Sequence, residues 1–126
     1  MLVSAFDSAG ADRVLTMLEG ATRELRQGNP GVLATDVGPV IDTEARDNIV
    51  KHIDTMRAKG YRVSQPASAR ADHQAMAAGT YVPPTLIEIR SIKDLGREVF
   101  GPVLHVLRYK RDDLESLIRD INGTGY

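Results

Sequence analysis

Helical and strand-like spacings of apolar residues divide the chain. From Ala9 to Gln27 the apolar residues Val14, Leu18, Ala21 and Leu25 recur every three or four positions, which predicts a helix. Asp7 or Ser8 can cap its start, and Gly28 stands where a glycine commonly closes a helix. Asn29-Pro30-Gly31 reads as a turn, followed by an extended connection over Val32–Ile41. Ala45, Ile49, Ile53 and Met56 predict a second helix over Thr43–Lys59, capped by Asp42 and ended by Gly60. Leu114, Leu117, Ile118 and Ile121 predict a last helix, which Gly123 ends. Asp112-Asp113-Leu114-Glu115 before it resembles a capping box.

Strand-like runs lie between these helices. Leu2–Phe6 is short and apolar, Tyr61–Ser64 alternates, and Tyr81–Ile89 is entered through Pro83-Pro84, so Thr85–Ile89 is its firm part. Ser91 can cap a short helical turn holding Ile92 and Leu95. Val103–Tyr109 places Leu104, Val106 and Arg108 on one side, and Val103, His105, Leu107 and Tyr109 on the other. Apolar residues on both sides predict a strand covered on both faces, as in a parallel sheet. Gln65–Gly79 has no period and reads as a mobile surface loop. Strands alternating with helices predict an α/β fold, a mostly parallel sheet with flanking helices, in a single domain over residues 1–126.

Composition narrows the function more by exclusion than by assignment. Sixteen basic and seventeen acidic residues give a net charge of -1, no electrostatic basis for binding nucleic acid. No apolar run approaches the ~20 residues of a transmembrane segment. The N-terminal residues lack the pattern of a signal peptide, so a cytoplasmic location is expected. There is no cysteine, which excludes disulfides, zinc–thiolate sites and thiol catalysis within these residues.

Candidate chemistry is sparse. His52, His73 and His105 have no metal-ligand spacing, and each reads as a packed or solvated side chain. No dinucleotide or Walker glycine loop is present. The paired Asp112 and Asp113 are accounted for by a helix N-terminus, which favours negative charge. Arg108, Lys110 and Arg111 are too few to make an anion-binding footprint. Glu98-Val99-Phe100-Gly101-Pro102 is the stretch with most content. Gly101 permits a turn or a close approach, and Pro102 suits the first residue of a strand. Glu98 and Phe100 then flank a bend at a strand entrance. Their plain reading is a surface carboxylate and a core aromatic. Their functional reading is a carboxylate that accepts hydrogen bonds from a sugar diol and an aromatic face for a flat ring.

Five stretches, in order, resemble the aldehyde dehydrogenase superfamily. They are Val37-Gly38-Pro39-Val40-Ile41, Met56-Arg57-Ala58-Lys59-Gly60, Val82-Pro83-Pro84-Thr85-Leu86-Ile87, Glu98-Val99-Phe100-Gly101-Pro102-Val103 and Ile121-Asn122-Gly123-Thr124-Gly125-Tyr126. Ala11-Asp12-Arg13-Val14-Leu15 and Gly101-Pro102-Val103-Leu104-His105-Val106 are similar to the branch that oxidises L-glutamate γ-semialdehyde to glutamate with NAD.

The resemblance implies part of that family's catalytic domain, with a small-molecule substrate and NAD as cofactor of the parent enzyme. It implies that Glu98 binds the nicotinamide ribose hydroxyls and that Phe100 lies beside the nicotinamide ring. The family's nucleophilic cysteine is expected a short way upstream of Met1, and its NAD-binding Rossmann strands further upstream. The chain alone is therefore expected to be catalytically inactive, to have no catalytic or metal-binding residue of its own, and to hold no cofactor. The alternative expectation is a non-catalytic α/β module that self-associates as a homo-oligomer through an exposed sheet edge, or binds a small ligand.

Overall fold

A computed structural model describes residues 2–68, 70–96 and 98–125. Its centre is a four-stranded sheet. Strand β1 (Leu2–Asp7) runs straight into helix α1 (Ser8–Glu24), with no residue between them. Helix α2 (Thr43–Ala58) precedes the short strand β2 (Arg62–Ser64). Helix α3 (His73–Ala78), strand β3 (Thr85–Ile89), strand β4 (Val103–Tyr109) and helix α4 (Leu114–Asn122) complete the order.

The strands lie in the order β1-β4-β3-β2. β1 and β3 both run parallel to β4, whereas β2 pairs antiparallel with β3. The expected α/β fold with a mostly parallel sheet is what forms. β4 is central, and its register sets Leu86 and Ile87 of β3 opposite Leu104 and His105.

Both faces of β4 are covered, as its side-chain pattern requires. On one face α1 lies over the sheet, and Arg108 of β4 reaches Asp12 of α1 at 2.7 Å. On the other, Ile49, Ile53 and Met56 of α2 and Leu117 of α4 pack with Ile87, Ile89, Val103 and Leu107 in the main core. Local chemistry fixes α2. Asp42 is extended, and its Oδ1 accepts from the Ala45 amide at 2.7 Å, so the N-cap satisfies a helix donor that has no intrahelical partner. Gly60 follows with φ +79, in the left-handed region that glycine tolerates.

Four local expectations need correction. Helix α1 ends at Glu24, short of Gln27, because Gln27 is used elsewhere: its Nε2 donates to the Val82 carbonyl at 2.9 Å. Gly28 therefore does not cap that helix; its amide donates to Val37 O. The segment 65–79 contains α3, capped by Asp72 through a 3.0 Å bond from the Ala75 amide. Helix α4 does not start with a capping box. Asp113 makes no side-chain cap bond, and a 3₁₀ turn at Arg111–Asp113 leads in instead. The reciprocal box is at Ser91 and Asp94, around the 3₁₀ turn Ile92–Asp94. No helix among the described residues is long and apolar enough to cross a membrane.

Candidate functional site

The segment before β4 delivers the two residues that sequence reasoning singled out. Residues 98–100 lie outside any helix or strand, and burial differs from one to the next. Val99 turns inward and joins the main core. Glu98 and Phe100, one step to either side, are less buried. Glu98 is half-buried, and Phe100 is 76% exposed. The plain reading of Phe100 as a core anchor does not hold.

What fixes this segment is the corner after it. The Val103 amide donates to Gly101 O at 2.8 Å, and Pro102 O accepts from the Thr85 amide at 2.9 Å. Pro102 has no N–H to leave unsatisfied. A Cβ at position 101 would lie 2.5 Å from Ile49 Cδ1, so only glycine lets the corner sit this close to α2.

Glu98, Val99 and Phe100 form one wall of a cleft of about 350 Å³. Helix α2 forms the other, through Ala45, Asn48, Ile49 and His52, which recur at helical spacing along one face. Glu98 is the single carboxylate among the described residues of the lining.

Two further residues join here that the sequence did not connect. His52 Nε2 lies 2.9 Å from His105 Nε2, with ring centroids 5.1 Å apart and ring planes at 74°. His52 is partly exposed in the cleft, and His105 on β4 is 0% exposed. They are 53 positions apart, so only the pairing of α2 with β4 brings them together. The available signal was that His105 shares the apolar side of β4 with Leu107, the side α2 covers. His73 opens α3 and stays apart, and no metal-ligand cluster of three or more His, Asp or Glu occurs among the described residues.

The mixed four-stranded sheet with its flanking helices and cleft is a partial α/β domain. The aldehyde dehydrogenase family model matches residues 6–126, so the chain belongs to the aldehyde dehydrogenase family. It is 51% identical to the bifunctional protein PutA of Klebsiella aerogenes and 50% identical to that of Escherichia coli K12, in each case over all of this chain and 11% of the relative. The chain thus spans about a tenth of the length of these relatives. Both alignments run over 142 positions against 126 residues here, so at least 16 of the relatives' positions have no counterpart within this chain.

Solved structures agree. A Bradyrhizobium japonicum proline utilization A mutant, D779W, superposes over all of the chain and 12% of its own, with TM-score 0.85 and 38% identity. PnpE, solved in complex with nicotinamide adenine dinucleotide, superposes over 90% of the chain and 23% of its own, with TM-score 0.77 and 30% identity.

Proposed function

We propose that these residues carry the nicotinamide-riboside wall of an NAD-dependent L-glutamate γ-semialdehyde dehydrogenase of proline catabolism. One observation carries the reading: Glu98 and Phe100 both line a cleft faced by α2, on a segment locked by Gly101 and Pro102. A carboxylate has two oxygens to accept from a vicinal diol, and an exposed aromatic face suits a flat ring. About 350 Å³ lies at the small end of ligand pockets, room for the nicotinamide and its ribose but not for a whole dinucleotide. NAD, when bound, supplies the hydride acceptor. The likeness to PutA and to NAD-bound PnpE supports the same assignment.

Covalent aldehyde oxidation in this reading needs a thiolate, and the 126 residues contain no cysteine. The chain alone is expected to bind NAD weakly and not to turn over. Titrating NAD or nicotinamide riboside into the labelled chain should shift the amide resonances of Asn48, His52, Glu98 and Phe100, and Glu98→Gln should weaken the effect about tenfold. Shifts confined to other residues would overturn the assignment of the wall. NADH formation from the semialdehyde above a buffer blank would overturn the predicted inactivity. A cytoplasmic location belongs to the same reading and is checked by fractionation.

A second reading, self-association, is favoured by exposed apolar side chains. Leu33, Ile41, Phe100 and Ile118 lie largely in solvent, and β1 is the last strand on its side of the described sheet. Light scattering coupled to size-exclusion chromatography separates the cases: a monomer with a sharp cooperative melt rejects the oligomer.

A further inference from the structure

The histidine pair has a chemistry that the cofactor wall does not use. Two imidazoles whose Nε2 atoms lie 2.9 Å apart share one proton along that line. One ring must donate and the other accept, so the accepting ring carries its own proton on Nδ1. The pair can be neutral, or it can carry one charge. It cannot carry two, because both Nε2 atoms would then bear hydrogens facing each other. The two charges would also lie a few ångströms apart beside a fully buried ring.

We propose that His52 and His105 act as one proton-sharing pair that holds α2 against β4 and so positions the cleft wall of Glu98 and Phe100. The cleft part of the proposal rests on the dinucleotide reading above. His52 is a positioning residue in it: it lines the cleft, and its ring is set from behind by His105. A second proton breaks the bond, releases α2 from β4 and widens the gap between Asn48 on the helix and Glu98 on the strand entrance.

Among the described residues, the following groups lie around the pair. Glu98 shares the cleft with His52. Asn48, Ile49, Thr55 and Met56, one turn to either side of His52 on α2, do not ionise. Beside His105 the register of β3 places buried Ile87, and the same side of β4 carries Val103, Leu107 and, beyond them, Tyr109.

The folded pair takes up at most one extra proton where the unfolded chain takes up two. Stability is therefore fully present above the ordinary imidazole range, about 6.5, and is lost as pH falls below it. For one proton the unfolding equilibrium constant rises about tenfold for each pH unit below roughly 6. Urea unfolding of the whole chain from pH 8 to 5 reads this slope. His105→Gln leaves only the partly exposed His52, which can take up its proton in the folded chain as it does in the unfolded one, and should flatten the slope; an unchanged slope overturns the proposal.

Ring-nitrogen NMR of the unsubstituted chain covers the case in which the variant fails to fold. Two rings that titrate together in two steps, with α2 and β4 amides shifting in the second, support the pair. Independent single-step titrations overturn it. NAD affinity measured over the same pH range separates the two ideas. A chain that titrates as described but binds no NAD at any pH removes the cofactor reading and leaves the pair standing.

Discussion

Gly101 and Ile49 occupy one space: a Cβ at 101 would meet Ile49 Cδ1 at 2.5 Å and Cγ1 at 3.2 Å. Ile49 is buried in the main core, so its side chain has little freedom to give way. Gly101→Ala should therefore cost about 1–3 kcal/mol by overpacking, read as a lower urea midpoint with an unchanged slope. Ile49→Val removes the nearest methyl group. The double variant should recover part of the loss that Gly101→Ala causes alone, and strictly additive effects would show that the two do not compete for space.

How far this corner could be read beforehand depends on the range of the interactions involved. β4 and β3 were legible to the residue because alternation and the Pro83-Pro84 entrance are local signals. Asp42 and the apolar face of α2 were legible for the same reason. Phe100 was ambiguous, since an aromatic defaults to the core; its exposure follows from Val99 taking the inward position. Helix α3 was not legible, because five of its six residues are Ala, Gln or His and no apolar stripe marks it. The His52–His105 contact was invisible, since it depends on which helix covers which face of β4.

The junction of β1 and α1 makes a prediction about the relatives. Loops between a strand and a helix in α/β units usually take 2–6 residues, and here Asp7 is followed at once by helical Ser8. The relatives have at least 16 positions that this chain lacks. Their single largest gap is expected between Asp7 and Arg13, where a connection has been lost. A position-by-position comparison with the Klebsiella aerogenes relative checks it, and a gap inside 30–97 would refute it.

Gln27 is a buried amide with a long-range task. It is 3% exposed, its Nε2 donates to Val82 O at 2.9 Å, and its own carbonyl accepts from the Asp72 amide at 2.8 Å. Those two bonds tie the end of α1 to the start of α3 and to the entrance of β3. Gln27→Leu keeps the volume but leaves the Val82 carbonyl without its donor, at a cost of about 1–3 kcal/mol. Hydrogen exchange should rise first at Asp72 and Ala75. Uniform exchange across the sheet instead would show a global effect.

Glu88 joins two arginines across three strands. It accepts from Arg62 at 2.8 Å and from Arg108 at 2.9 Å, and these reach on to Glu19 and Asp12 of α1. The hydrogen bond to Glu88, then the one to Asp12, holds the Arg108 pKa above its ordinary value. Both arginines keep contact with solvent, so the gain is modest. Glu88→Gln should cost about 0.5–1.5 kcal/mol in dilute buffer, and less in about 0.5 M salt, where screening weakens charge contacts. A loss independent of salt would assign the effect to packing.

Tyr61 supplies an alkaline counterpart. Burial raises its pKa first, and the Asp94 carboxylate raises it further, while Arg90, 5.1 Å from the ring, opposes this. A tyrosine whose folded pKa lies above its unfolded value, about 10, stays protonated in the fold after the unfolded chain has begun to lose its proton. The stability it contributes is therefore complete below pH 10 and is lost as pH climbs through the folded value. Ultraviolet titration should show a late tyrosine ionisation above the ordinary value, about 10. Tyr61→Phe should remove that late step and flatten the fall in melting temperature above pH 10. Asp94→Asn should move the step partway back toward the ordinary range, because it removes the charge and leaves the burial. If the late step survives in Tyr61→Phe, it belongs to another tyrosine and the assignment fails.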